Sequence, residues 1–149
     1  MLKFTRGDIF ESGCEALVNP VNCVGVTGKG LALAFRSRYH DNFIEYKEAC
    51  SRKQLCIGRV FVTQPPSEDP KYIINFPTKY HWSNPSEIEY ITAGLESLVS
   101  ACDCFSIKTV ALPAIGCGCG QLDWNLIKPL LIERLDPLEE TVFYAYEPY

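Results

Sequence analysis

Histidine is nearly missing from this chain, with only His40 and His81, and none of its eight cysteines falls in a Cys-x-x-Cys pair. The spacing that would complete a zinc site is therefore absent. No apolar run approaches the roughly 18 residues of a membrane span. The N-terminus, Met1-Leu2-Lys3-Phe4-Thr5-Arg6, holds no apolar signal core. The expectation is a soluble, cytoplasmic protein with no metal and no membrane partner. Two nucleotide motifs are missing as well. No Gly-x-Gly-x-x-Gly follows a strand with an acid about 20 residues later, and Lys29 is followed by Gly30 rather than Ser or Thr. Basic residues are scarce after position 82. Residues 83–149 carry 3 Lys+Arg against 10 Asp+Glu, whereas residues 1–82 carry 11 against 8. The net charge of −4 argues against general nucleic-acid binding. Lys29, Arg36, Arg38, Arg52 and Lys53 read as a local basic surface or as a solvated helix face.

What is present suits one folded domain, residues 1–149. The apolar fraction of 47% supports a full core. The cysteines read mostly as small buried apolar residues. Cys117 and Cys119 have no histidine base nearby in the sequence. The pattern predicts strands at Leu2–Arg6, Ala16–Asn22, Arg59–Thr63, Tyr72–Phe76, Thr109–Leu112 and Thr141–Tyr146. It predicts helices at Leu31–Arg38, Asn42–Ser51, Glu87–Ala101 and Asp123–Leu135. In the helix from Glu87, Ile88, Ile91, Leu95, Leu98 and Cys102 recur at three- and four-residue steps. Ser86 is its expected cap, with Glu89 completing a capping box. The segment from Pro65 to Pro70 reads as a surface connection. Strands Ala16-Leu17-Val18 and Thr109–Leu112 are apolar throughout, as when both sheet faces are covered. The fold class is α/β, a three-layer α/β/α sandwich with a mixed central sheet.

Two glycine loops sit at strand-to-helix turns. The first is Gly25-Val26-Thr27-Gly28-Lys29-Gly30, after Ala16–Asn22. The second lies in Pro113-Ala114-Ile115-Gly116-Cys117-Gly118-Cys119-Gly120-Gln121-Leu122-Asp123-Trp124, after Thr109–Leu112. Glycines there bare backbone N–H groups and admit an anion, and a helix N-terminus adds a positive dipole end. Two such loops suggest jaws on one diphosphate. Asp8, after the first strand, could accept from an exocyclic amine such as that of adenine, or be an ordinary turn residue.

Taken together, Gly7-Asp8-Ile9, Val18-Asn19-Pro20-Val21-Asn22 and the two loops resemble the macrodomain family of ADP-ribose binders. The resemblance covers nearly the whole chain. It implies that Asp8 and Ile9 bind adenine and that Asn22 faces the distal ribose. It implies that Gly28, Lys29, Gly30 and Leu31 hold the diphosphate with Ile115, Gly116, Cys117, Gly118, Cys119 and Gly120. A narrower likeness rests on Ile73-Ile74-Asn75-Phe76-Pro77-Thr78-Lys79-Tyr80-His81-Trp82 and Gly120-Gln121-Leu122-Asp123-Trp124. These resemble the branch that contains the DNA ADP-ribosyl glycohydrolase antitoxins, with the terminal ADP-ribose protein glycohydrolases as relatives.

That branch implies Lys79 as catalyst, with Asn22 beside the reacting ribose. Taken alone, a lysine in Pro-Thr-Lys-Tyr-His-Trp reads as a solvated loop residue. As an amine in a cleft it could attack an anomeric carbon, and as an ammonium it could protonate a leaving group. The sequence leaves both open. Two departures matter. Leu31 and Ala32 follow Gly30 where protein-deacylating macrodomains carry Asp, and Gly120 stands where terminal glycohydrolases carry Asp. Asp123 reads as the N-terminal residue of a helix rather than a general acid. Tyr80, His81 and Trp82 could stack on an unpaired base.

The function so implied is removal of ADP-ribose from thymidine in single-stranded DNA. ADP-ribose is then ligand and product, with no cofactor. A DNA ADP-ribosyltransferase toxin would be the functional counterpart, and the chain would be a monomer. The competing expectations are hydrolysis of ADP-ribose esters on protein Glu/Asp or of O-acetyl-ADP-ribose, and a non-catalytic ADP-ribose-binding module. Antitoxins of the branch commonly carry a further C-terminal region. The sequence ends at Tyr149, which reads as either an excised domain or a protein that works alone.

Overall fold

A computed structural model describes residues 1–148. The elements run β1 (Leu2–Thr5), a single 3-10 turn (Ile9–Glu11), β2 (Ala16–Asn22), α1 (Gly30–Arg38), α2 (His40–Ser51), β3 (Phe61–Thr63), β4 (Tyr72–Lys79), α3 (Ile88–Cys104), β5 (Thr109–Leu112), α4 (Trp124–Leu135) and β6 (Val142–Tyr146). The six strands form one sheet in the order β1-β6-β5-β2-β4-β3. Every pairing is parallel except β3 with β4. The mixed sheet expected from the sequence is therefore present.

Strand alternation sorts the core onto two faces. Ala16, Val18, Ile74, Phe76, Val110 and Leu112 pack with Ile91, Leu95 and Leu98 of α3 and with Ile127 and Leu131 of α4. Leu17, Ile73 and Ala111 turn the other way, onto Phe35 of α1. Helix α2 adds Phe43, Tyr46 and Ala49 on that second side. Two helical layers thus enclose the sheet, and β2, β4 and β5 need apolar residues on both faces. α3 lies close on β4, because Gly94 has no side chain. A Cβ there would stand 2.5 Å from Cε1 of Phe76.

Three local readings are corrected. β4 continues to Lys79 instead of ending at Phe76, so Lys79 belongs to a strand and not to a solvated loop. Ser86 does not cap α3. The N-cap is Glu87, which makes no side-chain cap bond, while Ser86 is buried with its N–H on Gly120 O at 2.9 Å. α2 starts at His40 rather than Asn42. Asn42 instead points inward, where Asn75, Asn42 and Thr63 form a buried hydrogen-bonded ladder joining β4, α2 and β3. Its amide is satisfied inside the core, so it does not serve as a surface helix start. Among the described residues no helix is long and apolar enough to cross a membrane.

Candidate functional site

The site lies beyond the carboxyl ends of β2, β4 and β5, where ligands of open α/β sheets bind. Two adjoining cavities occupy it. One, of about 300 Å³, is lined by Asn22, Gly28, Lys29, Gly30, Leu31, Lys79, Trp82, Gly116, Gly118, Cys119 and Gly120, among others. The second, of about 520 Å³, includes Asp8, Ile9 and Tyr146. Leu31, Pro113, Ala114 and Pro148 border both, so together they form one elongated cleft.

The first loop is built around Asn22. Its side-chain oxygen accepts from Val24 N at 3.1 Å and Val26 N at 3.4 Å, and its amide nitrogen donates to Val26 O at 2.7 Å. Tyr46, on α2, donates its hydroxyl to that oxygen and to the Asn22 carbonyl, each at 2.9 Å. The macrodomain resemblance implies that Asn22 faces the distal ribose. Most of the amide is spent on the loop, and one N–H remains for a ligand. Beyond the loop, α1 opens on Lys29, an extended residue with no side-chain cap bond. The N–H groups of Gly28, Lys29, Gly30 and Leu31 have no partner among the described residues. An uncapped helix N-terminus facing a cleft is an anion site by dipole and by donors.

The second loop folds on itself. Cys117 N donates to Ala114 O, Gln121 N to Gly118 O and Leu122 N to Gly116 O. Gly116 takes φ +79°, a conformation that suits glycine, and a Cβ there would stand 2.8 Å from Leu122. Gly118, Cys119 and Gly120 keep N–H groups without a partner among the described residues. The helix dipole expected behind this loop is not bare, because Asp123 caps α4 by accepting from Asn125 N at 2.9 Å. The bare helix end at the cleft is that of α1. The jaws meet where Gly30 approaches Cys119, whose Sγ would lie 3.5 Å from a Cβ at position 30.

Lys79 sits between them, 8% exposed. Its Nζ donates to Trp82 O and to Cys119 O, both at 3.1 Å. Among the described residues it makes no ion pair, the pairs being Arg52–Glu48, Lys128–Glu147 and Arg134–Glu96. With two carbonyls occupied, one tetrahedral direction is left, for a third N–H or a lone pair. Gly120 is a glycine for a steric reason. A Cβ there would meet Ser86 Oγ and lie 2.5 Å from Gly116 O. An aspartate does not fit at that position with the loop in this shape.

Other expected contacts fall elsewhere. Ile115 is 1% exposed and belongs to the core, so its side chain is no part of the cleft wall. Cys117 packs against the same core, and burial, with Asp123 nearby, pushes its thiol up to about 11. It therefore stays a protonated, poor nucleophile near neutrality. Tyr80 leans edge-on against Tyr90, and His81 pairs with Ser83. Neither lines the cleft, because alternation past Lys79 turns Tyr80 outward. Trp82 does line it and stays 54% exposed. Asp8 caps the 3-10 turn by accepting from Phe10 N at 2.9 Å, while still bordering the second cavity. The basic surface is largely spoken for. Arg36 lies over Phe43, Arg38 over Phe10, and Arg52 pairs with Glu48. The cysteines are less uniformly buried than expected, with Cys14 and Cys102 buried and Cys104 and Cys119 exposed. Sequence reading missed Thr27, Ala32 and Thr78, which also line the cleft. Thr27 stands inside the first glycine loop and is legible there, whereas no local signal marks Thr78.

Residues 18–130 match the Macro domain family model. The chain is 46% identical over 149 residues to a Thermus aquaticus protein named DNA ADP-ribosyl glycohydrolase, covering 99% of this chain and 41% of that one. The macrodomain of Mycobacterium tuberculosis DarG superposes with a TM-score of 0.96 at 43% identity, over 100% of this chain and 99% of that chain. Thermosipho africanus DarTG in complex with ADP-ribose matches with a TM-score of 0.91 at 35% identity, over 99% of this chain and 41% of that chain. The chain spans about two fifths of the length of the relatives whose names carry DNA ADP-ribosyl glycohydrolase. Sheet order, cleft position and family match agree, and the chain belongs to the macrodomain family.

Proposed function

We propose that this domain binds ADP-ribose along the cleft and removes it from thymidine in single-stranded DNA. The observation that carries the reading is Lys79, held between two jaws of unpartnered N–H groups. Adenine occupies the cavity at Asp8 and Ile9. The diphosphate lies between the α1 N-terminus and the Gly118–Gly120 turn. The distal ribose then reaches Asn22 and Lys79. The likeness to relatives named DNA ADP-ribosyl glycohydrolase supports this over an ester hydrolase or a pure binding module.

The bond to be broken joins the anomeric carbon of the distal ribose to a thymine nitrogen. As it breaks, positive charge develops on the ribose and negative charge on the departing imide. The diphosphate anchored by backbone donors holds the sugar in place. The third N–H of Lys79 supplies the proton to the departing base, water adds to the anomeric carbon, and the amine left on Lys79 takes up the proton that the water releases. Trp82 offers the base an exposed aromatic face. We place the domain opposite a DNA ADP-ribosyltransferase toxin, as a monomeric cytoplasmic antitoxin activity that repairs modified DNA. A relative that fuses transferase and glycohydrolase supports that pairing.

The test is release of ADP-ribose from a thymidine-ADP-ribosylated single-stranded oligonucleotide by the wild-type protein and by Lys79→Met. Release by wild type alone is expected. Equal release by both removes Lys79 from the chemistry. Calorimetric binding of ADP-ribose without release by either protein sinks the DNA reading and leaves a protein-linked substrate or a binding module.

A further inference from the structure

We infer that Thr78 is a positioning residue for Lys79. It fills an extra place in β4 that turns the lysine onto the cleft face, and its hydroxyl holds that place. The inference rests on the reading of Lys79 given above.

The pairing of β2 with β4 is regular through Val21 opposite Pro77, then shifts so that Asn22 stands opposite Lys79. Thr78 is left over between them. Side chains on a regular strand alternate between faces, so without the shift Thr78 would share the face of Asn22 and Lys79 would turn away. A bulge sets two successive residues against one partner and re-aims their side chains. Lys79 and Asn22, opposite one another after the shift, both line the cleft at the strand ends, as do Thr78, Pro20 and Val21.

The shift is pinned on both sides. Before it, Pro77 has no N–H to give the ladder, which favours an interruption at that step. After it, Cys23 N donates to Tyr80 O at 3.0 Å, so chain pairing resumes. At the shift itself the Thr78 hydroxyl donates to Val21 O at 3.4 Å in a buried setting. Thr78 is 5% exposed, and its branched side chain has few rotamers to choose from. From there Lys79 Nζ reaches Trp82 O and Cys119 O. Valine at 78 keeps the shape and removes the donor, and serine keeps the donor and removes the branch.

The experiment compares wild type, Lys79→Ala, Thr78→Val and Thr78→Ser. Turnover of the modified oligonucleotide, ADP-ribose calorimetry and thermal unfolding are measured on each. Thr78→Val is expected to lose about tenfold to a hundredfold in kcat, the range a small misplacement of a catalytic group produces, with ADP-ribose affinity nearly unchanged. Thr78→Ser should recover most of the loss. Wild-type kcat in Thr78→Val overturns the inference. So does a lowered unfolding temperature with kcat unaffected, or an equal loss in both variants. If wild type releases nothing, or Lys79→Ala releases as fast, the fault lies with the reading of Lys79. Lysine labelled at Cε answers the positional question in either case. The Lys79 resonance should move in Thr78→Val and stay in Thr78→Ser, and an unmoved resonance in Thr78→Val overturns the inference.

Discussion

Asn22 and Lys79 stand opposite one another across the β2–β4 pairing, and each is tied to a different jaw of the cleft. Asn22 holds the first glycine loop through Val24 and Val26, and Lys79 holds the second through the Cys119 carbonyl. One pair of strand-end neighbours thus sets the spacing of both walls. Loss of either side chain should loosen a loop as well as remove a functional group.

Asn22→Ala tests the first half of that statement. The substitution frees Val24 N, Val26 N and Val26 O from their common partner. Losing a partly buried amide hub of this kind costs about 1–3 kcal/mol. Part of that cost should appear as weaker binding, roughly tenfold for ADP-ribose by calorimetry. Unchanged affinity would mean that the loop keeps its shape without Asn22.

Gly120→Asp introduces the residue that terminal ADP-ribose protein glycohydrolases carry. Its Cβ would meet Ser86 Oγ and the Gly116 carbonyl, so the loop must open. Overpacking of this kind costs about 1–3 kcal/mol. The variant should unfold at lower denaturant and release ADP-ribose more slowly than wild type. A variant that is both stable and faster would show that the second loop tolerates an acid.

Gly94→Ala probes the fold away from the cleft. The new methyl would press on the Phe76 ring between α3 and β4. The expected outcome is a loss of about 1–3 kcal/mol in urea unfolding, with ADP-ribose affinity retained. Wild-type stability would show that Phe76 repacks freely.

Cys119 and Cys117 should differ towards iodoacetamide. Cys119 is exposed at the point where the jaws meet, and ADP-ribose should shield it. Burial pushes the Cys117 thiol up to about 11, so its thiolate fraction grows only as pH rises towards that value. Mass spectrometry at pH 7 should find Cys119 labelled and Cys117 spared. Labelling of Cys117 at pH 7 at the rate of Cys119 would contradict the burial argument.

Much of this protein is written locally. Apolar runs and helical periodicity gave the strand and helix order, because burial on two sheet faces demands them. The glycine loops were legible because bare N–H groups at a strand-to-helix turn need only neighbouring residues. Asp123 was legible as a cap for the same reason. Other features exist only once distant segments meet. The β4 shift at Thr78 depends on register with β2, a pairing set by the whole sheet. The burial of Lys79 follows from that shift and from the Cys119 carbonyl, far along the chain. Gly120 is explained by Ser86 and Gly116, and Ser86 sits one residue before the N-cap that forms, Glu87, with its own N–H on Gly120 O. Sequence by itself determined which elements form and which loops bare their donors, because those are short-range properties of the backbone. Tertiary structure alone decided which side chains face the cleft, because facing is a matter of register between strands that the chain order does not encode locally.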